Sequence, residues 1–160
     1  TEVALMFFKL STIVLSLMIM LSVQAFADQV GKEKELVITW RRLVDQKNQT
    51  CPRCSETGGE VEQAVKKIQR AFQHLGVVVK FRSEKISQEE FNKAPLASNR
   101  ITINGKSLEE WLGGSSGQSP CCASCGDNDC RTVKVDGQEY EAVPERLIIK
   151  AALLALSGLF

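Results

Sequence analysis

Three pieces of one stretch, residues 35–81, decide the fold: Glu35-Leu36-Val37-Ile38-Thr39-Trp40, then Thr50-Cys51-Pro52-Arg53-Cys54, then Val77-Val78-Val79-Lys80-Phe81. The first is an apolar run suited to a strand covered on both faces, and the predicted strand spans residues 35–44. The last is short and rich in β-branched residues, which also favours a strand. Between them Val61, Ala64, Val65, Ile68, Ala71, Phe72 and Leu75 recur at helical spacing, and Gly76 supplies a stop. Strand, helix and strand in this order form a βαβ unit with a right-handed crossover. Thr57-Gly58-Gly59-Glu60 fits a capping box, so the helix is expected to start at Thr57, leaving Cys51 and Cys54 in the loop ahead of it. Each glycine weakens a helix by about 1 kcal/mol relative to alanine, which argues against an earlier start.

Working outward, Ser87-Gln88-Glu89-Glu90 caps a second helix that Pro95 keeps to two turns. Arg100-Ile101-Thr102-Ile103 alternates as a half-buried strand, and Asn104-Gly105 turns the chain. Ser107-Leu108-Glu109-Glu110 caps a short helix ending at Gly113-Gly114. Residues 113–119 are small and polar and read as a flexible lead-in to a cysteine-rich loop, 113–131. A hairpin follows, with strands over 131–135 and 138–143 about Asp136-Gly137. Pro144 opens a last helix whose expected buried face is Leu147, Ile148, Ala151, Leu154 and Ala155.

The N-terminal segment has a different character. Lys9 precedes an apolar block, Leu10 to Leu21, and Ala25-Phe26-Ala27 places small residues where a signal peptidase reads. Residues 1–27 are expected to be a secretory signal, with residues 1–5 upstream of an alternative start at Met6; an uncleaved anchor, the only membrane attachment foreseen, is the alternative. Residues 28–160 then make one domain, long enough to bury a core without disulfides. Export, periplasmic or secreted, puts the cysteines in an oxidising compartment. The formal net charge of +1, with no basic stripe or aromatic–basic interleaving, excludes nucleic acid as the expected partner. His74, the only histidine, suits a favourable charge at a helix C-terminus better than a metal ligand.

All six cysteines fall in two constellations, Cys51/Cys54 and Cys121, Cys122, Cys125 and Cys130. A Cys-x-x-Cys spacing brings two sulfurs within reach in one turn, and Arg53, Arg42 and Lys47 supply cations that favour a thiolate. In a redox role Cys51 is the nucleophile and Cys54 resolves the mixed disulfide. Metal ligation and a plain disulfide are the alternatives. The second constellation offers four soft donors to zinc, a heavy metal or an iron–sulfur centre; pairing into two local disulfides competes with this. Asp127 and Asp129 suit a polar turn without a metal role.

The order of elements and the position of Cys51 and Cys54 resemble the thioredoxin superfamily, and Asn99 to Gly105 is similar to the glutaredoxin segment running from a cis-proline through the third strand, with Asn99 at the proline's position. More narrowly, the chain resembles a thioredoxin-like family of prokaryotic proteins catalogued as a domain of unknown function. The resemblance rests on Thr50 to Cys54, on Ser98 to Gly105 with Leu108 to Gly113, and on Ser119-Pro120-Cys121-Cys122 through Cys130-Arg131-Thr132-Val133. It implies a thioredoxin-like α/β fold: a central mixed sheet of about four strands flanked by helices, with a cysteine-rich insertion. In that topology the insertion leaves from the end of the sheet opposite Cys51, so two separate sites are expected; the alternative is that residues 105–130 fold back along the sheet and give a joint site of Cys51, Cys54, Cys122 and Cys125. The expected function is thiol–disulfide exchange at Cys51 and Cys54 with a protein thiol or disulfide partner. The alternative is non-enzymatic binding of a soft metal or metalloid, with Cys121, Cys122, Cys125 and Cys130 as ligands. Zinc or another thiophilic metal is the only cofactor these residues suggest.

Overall fold

A computed structural model of the chain describes residues 34–122 and 125–160. The expected signal segment, 1–27, and Ala123 and Ser124 of the cysteine-rich loop lie outside the described residues. No helix among the described residues is long and apolar enough to cross a membrane.

The architecture is mixed α/β. Strand β1 (Lys34–Leu43) leads to helix α1 (Pro52–Phe72), and β2 (Val77–Ile86) returns parallel to β1. Helix α2 (Gln88–Lys93), β3 (Arg100–Ile103), β4 (Lys106–Ser107) and α3 (Leu108–Leu112) follow. The four strands form one sheet in the order β2-β1-β3-β4, with β3 antiparallel to both its neighbours. The capping boxes at Ser87 and Ser107 are both formed, and Gly113 ends α3 in the left-handed conformation. In β1, Leu36, Ile38 and Trp40 are buried on one face, while Val37 and Thr39 on the other are half-covered, less than the continuous apolar run implied.

Helix α1 begins earlier than expected. Cys51 is its N-cap, Pro52 and Arg53 open the first turn, and Cys54 completes it. Thr57 and Gly58 are buried inside the helix. The reason is tertiary. The Trp40 ring occupies the space a Cβ on Gly58 would fill, and the backbone N–H of Val143 donates to Thr57 Oγ1 at 3.2 Å. Glu60 does not cap its own helix; its Oε2 accepts from the N–H of Glu145, 2.6 Å away, at the start of helix α4 (Glu145–Ser157). Ala71 and Leu75 are exposed, and a short 3-10 turn, Gln73–Leu75, separates α1 from Gly76. In α4 the exposed Leu154 leaves the expected face, and Ala152 and Leu156 join it.

A second, antiparallel sheet holds the remaining strands, β5 (Ser115–Pro120), β6 (Asp129–Val135) and β7 (Gln138–Tyr140), in the order β5-β6-β7. The segment expected to be a flexible lead-in is therefore a paired strand. Small residues are required there, because a Cβ on Gly114 or Gly117 would meet β6. This sheet is tied back to the first half of the fold. Arg131 donates from Nε to Glu109 Oε1 at 2.8 Å and from Nη1 to the Leu96 carbonyl at 3.1 Å, a buried charge pair joining β6 to α3.

Candidate functional site

The carboxyl end of β1, the N-terminus of α1 and the cysteine-rich loop meet at one place. The approach to it is fixed by short-range hydrogen bonds. Asp45 Oδ1 accepts from the N–H groups of Lys47 and Gln49, and Thr50 Oγ1 donates to the Leu43 carbonyl at 2.8 Å. Cys51 then presents its sulfur to the open first turn of a 21-residue helix, and the N–H of Cys54 donates to Cys51 Sγ at 3.5 Å. A thiolate at a helix N-terminus gains from the orphan N–H groups and the helix dipole.

The two sulfurs of the motif are driven apart in acidity. The hydrogen bond from the Cys54 side chain, above all, lowers the Cys51 pKa from 9.0 to about 5, against the desolvation that raises it; the Cys54 N–H and the Cys122 and Cys125 side chains assist. Cys54 is pushed far upward by the same bond to Cys51, then by burial and by the charge of Cys51. Cys54 is 2 % exposed and Cys51 7 %. Ser98 stands behind them: its Oγ accepts from the Leu43 N–H at 2.9 Å and lies 3.8 Å from Cys54 Sγ.

Asn99 has φ +55° and is buried, with Oδ1 accepting from Trp40 Nε1 at 3.4 Å and Nδ2 donating to the Glu141 carbonyl at 3.2 Å. No peptide bond among the described residues is cis. Ser98, Asn99 and Glu141 carry no spacing signal; the family resemblance, which includes Ser98 to Gly105, points to the first two and nothing points to Glu141.

The loop does not hang at the far end of the sheet. Arg53 Nη2 donates to the Pro120 carbonyl at 3.1 Å and pairs with Glu141 at 2.8 Å, pinning the end of β5 to the first turn of α1. The sulfurs of Cys51, Cys122 and Cys125 lie within 4.8 Å of one another and could hold a metal ion. The two constellations therefore form one site, not two.

The four expected loop ligands, Cys121, Cys122, Cys125 and Cys130, are of two kinds. Cys121 and Cys130 are joined by a disulfide, while Cys51, Cys54, Cys122 and Cys125 are thiols. Cys122 Sγ is 3.6 Å from Cys125 Sγ. Cys125, 3 % exposed, is raised to about 12 by burial first and then by its sulfur neighbours Cys122 and Cys51. Arg53 is committed to Pro120 and Glu141, so its part is to hold the loop. His74 is exposed in the turn after α1 and takes no part.

A cavity of about 220 Å³ opens onto this site, lined by Leu43, Asp45, Gln49, Thr50, Cys51, Pro52, Gln88 and Cys125. It has room for a peptide side chain or a small thiol beside Cys51.

No solved structure matches the chain. A protein of Archaeoglobus fulgidus, described as an uncharacterized protein, is 44% identical over 115 residues, covering 71% of this chain and 82% of the relative. The family model described as Domain of unknown function (DUF2703) matches residues 36–152, a span containing every sulfur of the site, and the chain belongs to that family.

Proposed function

We propose that this protein is an exported, thioredoxin-like thiol–disulfide exchange protein with Cys51 as nucleophile and Cys54 as resolving thiol. The observation that carries the reading is the Cys51 sulfur at the N-cap of α1, hydrogen-bonded by Cys54 at the end of the first turn. The strand order β2-β1-β3-β4 supports the thioredoxin-like part, since it pairs a parallel βαβ unit with two antiparallel strands around the dithiol. Cys51 thiolate attacks a substrate disulfide, and one substrate sulfur leaves and takes up a proton. Cys54 then attacks the Cys51 sulfur, passing its proton to the second leaving sulfur. The products are a Cys51–Cys54 disulfide and a substrate dithiol, with two electrons transferred. The raised pKa of Cys54 keeps it protonated until the mixed disulfide removes the Cys51 charge beside it. The partner class is a protein thiol or disulfide that reaches Cys51 through the cavity. The test is a timed alkylation of the full chain: one thiol, Cys51, should react well ahead of the others, and uniformly slow labelling would defeat the proposal.

A second reading rests on the three sulfurs of Cys51, Cys122 and Cys125, whose mutual spacing suits a soft ion held by three thiolates. It predicts one thiophilic ion, such as zinc, per chain after anaerobic purification. Metal-free protein that takes up no added zinc would remove it.

A further inference from the structure

We propose that the six cysteines form an intramolecular disulfide relay, in which the Cys121–Cys130 disulfide is a second two-electron store exchanging with the Cys51/Cys54 dithiol through Cys122 and Cys125. The proposal rests on the exchange function of Cys51 and Cys54 and gives that pair an internal partner.

The sulfurs are contiguous. Cys51, Cys122 and Cys125 form one group within 4.8 Å, and Cys121, Cys125 and Cys130 form another. Cys125 belongs to both and is the junction. Cys122 stands 3.6 Å from it, placed to close a disulfide once Cys125 is attacked or attacks. A plain staple explains less. The strands that Cys121 and Cys130 adjoin are already paired from Ser115↔Lys134 to Pro120↔Asp129. Stapling them does not require two further thiols set between the disulfide and Cys51. Access is uneven: Cys130 is 4 % exposed and Cys121 half-buried, so an external protein thiol approaches this disulfide only from the Cys121 side, whereas Cys51 borders the cavity.

Each hand-off breaks one S–S bond and forms another. Cys125 attacks the Cys121–Cys130 bond, joining one of these sulfurs and releasing the other, which takes up the proton Cys125 gave up. Cys122 attacks Cys125, closing Cys122–Cys125 and releasing the second loop thiol with its proton. Cys51 opens Cys122–Cys125, forming a mixed disulfide with one sulfur and releasing the other. Cys54 then attacks Cys51, closing Cys51–Cys54 and restoring both Cys122 and Cys125 as thiols. The net change is oxidation of the Cys51/Cys54 pair and reduction of Cys121–Cys130, with two electrons moved, one proton coming from Cys54 and one from solvent to replace the one the Cys51 thiolate lacks, and no outside oxidant. Every step is reversible.

The test starts from the full chain with Cys121–Cys130 as its single disulfide, held anaerobically at neutral pH, quenched in acid, alkylated and mapped by peptide mass spectrometry. The expected result is loss of that disulfide from Cys121–Cys130 and its appearance at Cys122–Cys125 and Cys51–Cys54, still one per chain, at a rate independent of protein concentration. Cys54→Ser should form no Cys51–Cys54 disulfide and should share its one disulfide among Cys121–Cys130, Cys122–Cys125 and a link from Cys51 to Cys122 or Cys125, because only the backward step from that link remains. If the disulfide stays on Cys121–Cys130 in the unaltered chain while that chain exchanges with glutathione disulfide, the relay is overturned and the function of Cys51 and Cys54 stands. If the chain does not exchange with glutathione disulfide at all, the proposed function is overturned and the relay falls with it. The unaltered chain decides the matter if Cys54→Ser does not fold.

Discussion

Gly58 lies directly against the indole ring of Trp40, so close that a Cβ on the glycine would overlap the ring carbons Cη2 and Cζ3. The contact seats the first half of α1 on the central strand, and with it the N-terminus that holds Cys51. Gly58→Ala should therefore destabilise the fold by about 1–3 kcal/mol, the usual cost of overpacking a buried contact. Gly59, one residue on, has nothing within 4 Å of its would-be Cβ. Gly59→Ala should stabilise by up to ~1 kcal/mol through helix propensity alone. Thermal unfolding of the two variants gives the comparison, and equal shifts of the same sign would remove the close-packing account of where α1 begins.

That contact also explains what the sequence could and could not convey. Local signals survive in the structure: the capping boxes at Ser87 and Ser107, the left-handed turns at Asn104-Gly105 and Asp136-Gly137, and the periodicity of Val61, Ala64, Val65 and Ile68. Each depends on residues within a turn or two of one another. The start of α1 depends on Trp40 and Val143, which are distant in sequence, so propensity alone placed it at Thr57, too late. β5 has no apolar alternation to announce it, because Ser115 to Pro120 join a sheet through backbone pairing with β6 and carry small side chains. The meeting of the two cysteine groups is an open alternative in the sequence that local signals do not decide. It depends on Arg53 reaching Pro120 across 67 residues and on Arg131 reaching Glu109, contacts that no spacing rule encodes.

The lowered pKa of Cys51 makes a pH prediction. Its thiolate forms as pH rises through about 5, so its alkylation rate should climb over the acid range and be nearly level by neutral pH. Cys125, raised to about 12, should remain slow across the same range. Because the hydrogen bond from the Cys54 side chain is the largest cause of the lowering, Cys54→Ala should move the Cys51 midpoint upward, toward the ordinary thiol value of 9.0. Rates of iodoacetamide labelling at Cys51, read by peptide mass spectrometry across pH, supply the check. A Cys51 midpoint near 9 in the unaltered chain would contradict this account.

Arg53 joins the dithiol to the loop, and its side chain is 10% exposed. Arg53→Ala should cost about 1–2 kcal/mol, mostly from the lost bond to the Pro120 carbonyl, since the Glu141 carboxylate is well exposed and its ion pair adds little. The sharper effect should fall on the site. Amide exchange at 119–130 should quicken, and a short bifunctional thiol cross-linker should bridge Cys51 to Cys122 or Cys125 less efficiently. Arg53→Lys should restore little of either, because an ammonium lacks the planar fork that serves two acceptors at once. Unchanged cross-linking in both variants would show that the loop is held over Cys51 by other contacts.

Asn99 supplies the last prediction, because its backbone and its side chain make separate demands. Its φ of +55° is open to glycine at no cost, costs alanine about 1–2 kcal/mol, and is closed to proline, whose ring fixes φ near −65°. Its side chain accepts from the buried Trp40 Nε1 and donates to the Glu141 carbonyl, and losing the first strands a buried donor at about 1–3 kcal/mol. Asn99→Gly should therefore show the side-chain loss alone, Asn99→Ala that loss plus backbone strain, and Asn99→Pro the largest drop. Because Ser98 touches Cys54 and binds the N–H of Leu43, the proline variant should also disturb the dithiol, slowing closure of the Cys51–Cys54 disulfide. Denaturant midpoints and a single-turnover exchange assay measure the two effects. A proline variant as stable as the unaltered chain would mean that this segment can take up a different backbone geometry beside Cys54, and the role assigned to Asn99 would be lost.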